Sequence, residues 1–115
     1  MLSFSYRFHG HGSLRYVYKN GQAFRSHLIT VKVTENKHRK ESRFAVVVSK
    51  KVHKSAVGRN RIRRRIYEIV RTELPRITSV YDVAIMVFSS EVISLPADEL
   101  KEVIEQLFTQ AGLYK

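Results

Sequence analysis

Thirteen consecutive residues, Arg59 to Arg71, carry six arginines: Arg59, Arg61, Arg63, Arg64, Arg65 and Arg71. Apolar residues recur between them at Ile62, Ile66, Ile69 and Val70, the i, i+4, i+7, i+8 spacing of one helical face. At roughly 100° per residue, Asn60, Arg61, Arg64, Tyr67 and Arg71 fall on the opposite side, with Arg59, Arg63 and Arg65 on or near the margins of the stripe. The pattern predicts an amphipathic helix that buries a narrow Ile/Val edge and turns an almost entirely guanidinium face outward. Guanidinium is a planar fork of donors matched to phosphate oxygens. Charges of one sign packed this densely repel one another unless an anion neutralises them, so the segment calls for a polyanionic partner.

The rest of the charge supports that partner. The 115 residues, about one domain's worth, have a formal net charge of +11. Residues 1–71 hold 18 Lys/Arg against Glu35, Glu41 and Glu68, a net of +15, whereas residues 72–115 hold Arg76, Lys101 and Lys115 against seven acids, a net of −4. Charge concentrated in this way marks where nucleic acid docks. The chain has no cysteine, which excludes disulfides and thiolate zinc sites and fits a reducing compartment. The N-terminal residues lack the apolar core of a signal peptide, and no stretch approaches a membrane span, so a cytoplasmic location is expected.

No repeat, low-complexity run or linker interrupts the chain, which is expected to be a single RNA-binding domain over residues 1–115, with residues 1–12 an irregular arm. Ser13 is expected to cap a short helix through Asn20, ended by Gly21 in the left-handed conformation. Residues 22–34 are strand-like, Phe44–Val48 is a short apolar run suited to a strand buried on both faces, and Tyr81–Phe88 reads as another. The arginine helix runs to about Leu74 and is stopped by Pro75. Leu100, Val103, Ile104, Leu107, Phe108 and Ala111 form a final helical stripe, to Gly112. The order is αβββαβα if residues 22–34 break into two strands and αββαβα if they do not. Either belongs to the α+β class, a small single-domain α/β sandwich with helices packed on one sheet.

Beside the arginine helix, Lys50, Lys51 and Lys54 extend the basic footprint. Aromatic rings stand at Tyr16, Tyr18, Phe24 and, in the arm, Phe4, Tyr6 and Phe8; unpaired bases stack on such rings. Core filling competes with that role for Phe24 and Tyr16, while Tyr18, following Val17, has the better claim to a partly open site. His9-Gly10-His11 has no third ligand at matching spacing and is read as part of a flexible arm. Asp98, Glu99, Glu102 and Glu105 belong on the outer face of the last helix, in the acidic third, and do not form the converging carboxylates of a metal-dependent nuclease. The residues offer no phosphate loop and no nucleophile with its base, so no catalytic residue and no metal ligand is assigned.

Ser49-Lys50-Lys51-Val52 followed by Ala56-Val57-Gly58-Arg59-Asn60-Arg61-Ile62-Arg63-Arg64 resembles the signature of the bacterial ribonuclease P protein subunit. The resemblance extends to Leu14–Gly21, which is similar to the family's first helix, to Arg43–Val48 before the signature and to Tyr81-Asp82-Val83 after it. It departs from the family at Tyr67, where a further basic residue is usual, at Leu14, where phenylalanine is common, and in the arm. The resemblance implies a sandwich with an unusual left-handed βαβ crossover. It also implies a protein that binds a catalytic RNA and the single-stranded 5′ leader of precursor tRNA, the RNA and its Mg²⁺ removing the leader. By the same resemblance Lys50, Lys51, Lys54, Arg59, Asn60, Arg61, Arg63, Arg64 and Arg65 would contact RNA, and Tyr18 would line the leader cleft. No organic cofactor, membrane or protein oligomer is required. The competing reading is a small ribosomal or other structural RNA-binding protein. A helix-turn-helix needs a partner helix where Phe44–Val48 reads as strand, and a stand-alone protein nuclease lacks its residues.

Overall fold

Strand-forming runs stand on both sides of the arginine segment in the sequence, and they become neighbouring parallel strands joined by that helix. The computed structural model describes residues 11–36, 40–77 and 79–114. The elements are α1 (His11–Asn20), β1 (Gln22–Arg25), β2 (Ile29–Glu35), β3 (Arg43–Val48), α2 (Ala56–Glu73), β4 (Tyr81–Val87) and α3 (Ala97–Gln110). This is the α+β order αβββαβα. Residues 22–34 do break in two, at Ser26, whose hydroxyl accepts the N–H groups of Leu28 at 3.3 Å and Ile29 at 3.1 Å and so turns the chain locally. The sheet order is β1-β2-β4-β3; β2 pairs antiparallel with both β1 and β4, and β3 pairs parallel with β4. A parallel pair requires a crossover, which α2 supplies.

Strand alternation divides the sheet into two faces. Ile29, Val31 and Val33 of β2, Phe44, Val46 and Val48 of β3, and Val83, Ile85 and Val87 of β4 form the main core. They meet Ile62, Ile66 and Val70 of α2 and Leu100, Ile104, Leu107 and Phe108 of α3. The rings of Phe44 and Phe108 lie 6.3 Å apart. Each fully buried aliphatic side chain here contributes about 1.5–3 kcal/mol, so the narrow stripe of α2 is enough to hold a helix whose remaining surface is charged. The alternate residues, among them Thr30, Lys32, Ala45 and Ala84, face the other way, toward α1. There Val17 is wholly buried and the Lys32 ammonium donates to the Tyr18 carbonyl at 2.8 Å. Strand β4 is therefore covered on both faces, by α1 on one side and the main core on the other, which is why it reads as an unbroken apolar run.

Helix boundaries differ from the sequence-based expectation in instructive ways. Helix α1 already includes His11 and Gly12, so Ser13 lies within its first turn instead of capping it; residues 1–10, with the expected arm and its rings and His9, lie outside the described residues. Gly21 is not left-handed. Its N–H donates to the Val17 carbonyl at 2.7 Å, and a Cβ there would stand 2.4 Å from that oxygen, so close approach demands the glycine. The left-handed glycine is Gly112, at φ 73°, just past α3. Helix α2 starts at Ala56, three residues before the first arginine, because the Ser55 hydroxyl accepts the Gly58 N–H at 3.3 Å and satisfies one of the unpaired donors of the first turn. It passes at Glu73 into a 3-10 turn, Leu74–Arg76, that contains Pro75.

Two buried polar clusters fix the far end of the sheet. Arg43 and Asp82, facing partners in the β3–β4 register, form a bidentate pair with Nε–Oδ1 at 3.0 Å and Nη2–Oδ2 at 2.8 Å, and Asn36 donates to the same carboxylate at 2.8 Å. At the end of α2, buried Glu73 accepts from the Tyr114 hydroxyl at 2.8 Å and from Arg76 at 2.9 Å. The Arg76 guanidinium lies 4.0 Å from the Tyr114 ring centre. Burial, reinforced by the Glu73 carboxylate, pushes the Tyr114 hydroxyl up from its ordinary value. Among the described residues no helix is long and apolar enough to cross a membrane.

Candidate nucleic-acid interface

The basic surface is built on the first two turns of α2 and the loop before it. Val52 and His53 donate backbone N–H groups to the Ser49 carbonyl, at 3.1 and 3.3 Å, folding Ser49–Lys50–Lys51 into a turn that leaves both lysines exposed. The His53 ring lies directly on Gly58: a Cβ at position 58 would come within 2.1 Å of its Cε1. The His53 Nδ1 accepts the Ser55 N–H at 3.2 Å, which requires that nitrogen to be unprotonated. Glycine in a helix is normally unfavourable, so Gly58 beside the Arg-Asn-Arg run was a legible sign of such a contact, although its partner was not.

The expected RNA-contacting residues divide into three kinds. Lys50, Lys51, Lys54, Asn60, Arg61 and Arg64 are exposed, and neither Arg61 nor Arg64 has a carboxylate partner among the described residues. Arg63, half-buried, donates to the Asn60 side-chain oxygen at 2.9 Å, so Asn60 orients a guanidinium at the edge of the same face. Arg59 and Arg65 are turned to the protein itself. Arg59 donates to the carbonyls of His53 and Lys54, each at 2.9 Å, and holds the lysine loop against the helix. Arg65 donates to the carbonyls of Val92, at 2.5 Å, and Leu95, tying α2 to the segment that leads into α3.

Two further members of the charged face stand apart from it. Tyr67, placed by helical angle on the outer side, is buried; its hydroxyl accepts the Val46 N–H at 3.2 Å. Val46 belongs to β3, an edge strand, and the phenol satisfies a donor that the sheet leaves unpaired. A residue that helical angle sets off the stripe reaches inward here because its ring is long and its hydroxyl has a partner. Arg71 pairs with Glu68 one turn earlier. Hydrogen bonding, first of all from Arg71, holds the Glu68 carboxyl down at about 2, and Glu68 in turn raises the Arg71 guanidinium, so Arg71 adds little net charge to the face.

The second surface is the sheet face under α1. Tyr18 is half-buried; burial raises its hydroxyl above the ordinary value, and the Lys32 ammonium lies 5.9 Å from its ring centre. Tyr16 projects outward, 60 % exposed, and so does not fill the core. Phe24 packs half-buried against the core on the opposite face. Asp98, Glu99 and Glu102 are exposed along α3, while Glu105 lies 3.9 Å from Lys101 and 3.8 Å from Arg76. Among the described residues no three His, Cys, Asp or Glu side chains are grouped to hold a metal ion.

Comparison with known proteins agrees with this architecture. The family model for Ribonuclease P matches residues 2–112. The chain is 38 % identical over 109 residues to the Ribonuclease P protein component of Chloroflexus aurantiacus, covering 95 % of this chain and 79 % of that protein. It is 35 % identical over 97 residues to the Ribonuclease P protein component of a Synechocystis strain, covering 84 % of this chain and 77 % of that protein. The solved structure of the Staphylococcus aureus RNase P protein superposes with a TM-score of 0.84 at 23 % identity, over 96 % of this chain and 98 % of that one. The RNase P protein from Thermotoga maritima gives 0.73 at 22 % identity, over 83 % and 91 %. These last two likenesses establish the shared fold, and the sequence matches establish the kinship: this chain belongs to the ribonuclease P protein family.

Proposed function

We propose that the chain is the protein subunit of a ribonucleoprotein ribonuclease P, binding the catalytic RNA and the single-stranded 5′ leader of precursor tRNA and so promoting endonucleolytic removal of that leader. The observation that carries this reading is the exposed row of Arg61 and Arg64 beside the lysine turn, without a carboxylate partner among the described residues, in a chain of this family. Lys50, Lys51, Lys54, Asn60, Arg61, Arg63 and Arg64 supply donors to RNA phosphates, and Arg59 and Arg65 hold that surface in shape from behind. Tyr18, on the face under α1, lines the path of the leader. On this reading the Mg²⁺ of the reaction is bound mainly by the RNA. The protein's contribution is electrostatic and positional: cations fixed against phosphates reduce the repulsion between two RNAs and with it the Mg²⁺ needed to bring them together. The expected location is the cytoplasm, where precursor tRNA is processed, and a single protein copy suffices to form these contacts.

The test is 5′ processing of precursor tRNA by the matching catalytic RNA at low Mg²⁺, with and without this protein. Stimulation by the protein is expected. No stimulation, together with sedimentation of the protein with ribosomal subunits, would favour a structural RNA-binding role instead.

A further inference from the structure

Three large apolar side chains are strongly exposed among the described residues: Tyr16, Val57 and Phe88. Phe88 is the one that the fold holds out rigidly. Its N–H donates to the Leu28 carbonyl at 2.9 Å, extending the β2–β4 ladder one residue beyond the Ile29–Val87 pair. Immediately after it, the Ser89 hydroxyl accepts the Glu91 N–H at 3.2 Å and starts the 3-10 turn Ser90–Ile93. The Val92 and Leu95 carbonyls of that segment are clamped by Arg65. Backbone is thus fixed on both sides of a ring that is itself 61 % exposed.

The register gives the ring its surroundings. Val87 points into the core, so alternation turns Phe88 out on the side of Ala84 and Met86, the face on which α1 lies. Because β3 runs parallel to β4 with Val48 opposite Val87, Phe88 and Ser49 leave adjacent strands at the same end of the sheet, the end from which the Lys50–Lys51 turn departs. A rigid phenyl ring therefore occupies the junction between the α1 face and the basic loop. The partner such a place fits is flat and apolar on its faces and anionic along its backbone, which describes an unpaired nucleotide. Bases stack on aromatic rings in single-strand sites of this kind irrespective of sequence.

We propose that Phe88 is a stacking platform for one unpaired base of the 5′ leader, where that strand leaves the α1 face for the lysine turn. The inference rests on the leader-binding reading above and adds a contact of different chemistry, one independent of counterion release.

The experiment measures binding of precursor tRNA, and of the same tRNA lacking its leader, to the reconstituted ribonucleoprotein with wild-type, Phe88→Ala and Phe88→Trp protein. Phe88→Ala is expected to weaken precursor binding roughly tenfold with an unchanged salt slope, to leave leaderless tRNA and the catalytic RNA bound as before, and to be rescued by Phe88→Trp. Replacing leader nucleotides one at a time by abasic residues should reveal one position whose loss is not additive with Phe88→Ala. An equal loss with leaderless tRNA or with the catalytic RNA alone would assign the ring to another RNA and overturn the proposal, as would an unchanged precursor affinity. Should wild-type protein fail to favour precursor over leaderless tRNA, the leader-binding reading itself fails, whatever Phe88 does.

Discussion

At the scale of single residues, Tyr67 shows where helical angle stops deciding orientation. Angle assigns it to the arginine face; the unpaired N–H of Val46 draws it inward. Tyr67→Phe keeps the packing and removes the acceptor from a buried donor, at a cost of about 1–3 kcal/mol. The expected result is a lower urea midpoint with an unchanged m-value and an unchanged salt dependence of RNA binding; a lower salt slope would instead make Tyr67 part of the phosphate footprint. Glu68 gives a pH-dependent counterpart. Its folded value, about 2, lies below its ordinary 4.5, so the pairing with Arg71 stabilises the fold above pH 4.5 and is lost as pH falls toward 2. Both groups are exposed and screened, so the consequence for stability is small. A direct reading is the Glu68 carboxyl carbon followed by NMR: a midpoint near 2 in the wild type, returning toward the ordinary value in Arg71→Ala.

At the scale of elements, α2 combines two functions on one set of arginines. Arg61 and Arg64 look outward, whereas Arg65, one position further on, reaches the Val92 and Leu95 carbonyls. The two kinds are separable by experiment. Replacing Arg61 and Arg64 together by alanine is expected to flatten the log–log salt dependence of RNA binding by roughly one unit per lost phosphate contact with little change in thermal stability. Arg65→Ala is expected to do the reverse, lowering stability by about 1.5–3 kcal/mol for charge-assisted bonds lost and leaving the salt slope intact. Measuring both quantities on both variants decides the assignment; a slope reduced by Arg65→Ala would return that residue to the RNA face. The existence and type of α2, α3, β3 and β4 were legible because each carries a long, consistent period or an unbroken apolar run. Capping at Ser55 and the partners of Gly21 and Gly58 were not, because which nearby hydroxyl, carbonyl or ring closes on the backbone is set by the local path of the chain and leaves no mark in period or composition.

At the scale of the whole molecule, the charge is polarised, +15 over residues 1–71 against −4 over residues 72–115. The arginines of the outer face stand on a helix held to the sheet by a narrow apolar stripe and by the Tyr67 and Arg65 bonds, and the self-repulsion of the basic part opposes the compact state. Anions that sit on that surface bind the folded chain preferentially and stabilise it. Circular dichroism melting should therefore show a higher midpoint in sulfate than in chloride at matched ionic strength, and the difference should shrink in the Arg61→Ala, Arg64→Ala double variant. Equal midpoints in the two salts would show that general screening, and not occupied anion sites, accounts for the stability.

The sequence by itself determined the α+β class, the buried strands on both sides of the basic helix, the polyanion-seeking character of that helix and, through the Ser-Lys-Lys and Arg-Asn-Arg runs, the family. These are local properties, written in period, composition and charge. Only the tertiary structure decided which arginines face solvent and which hold the protein together, why a tyrosine stands among them, and that Phe88 emerges at the end of the sheet from which the lysine turn departs. The reason is reach. An arginine or tyrosine side chain extends far enough to find a carbonyl or an N–H on another element, and strand pairing brings residues 48 and 87 side by side, so direction and neighbourhood are set by partners that no window of the sequence contains.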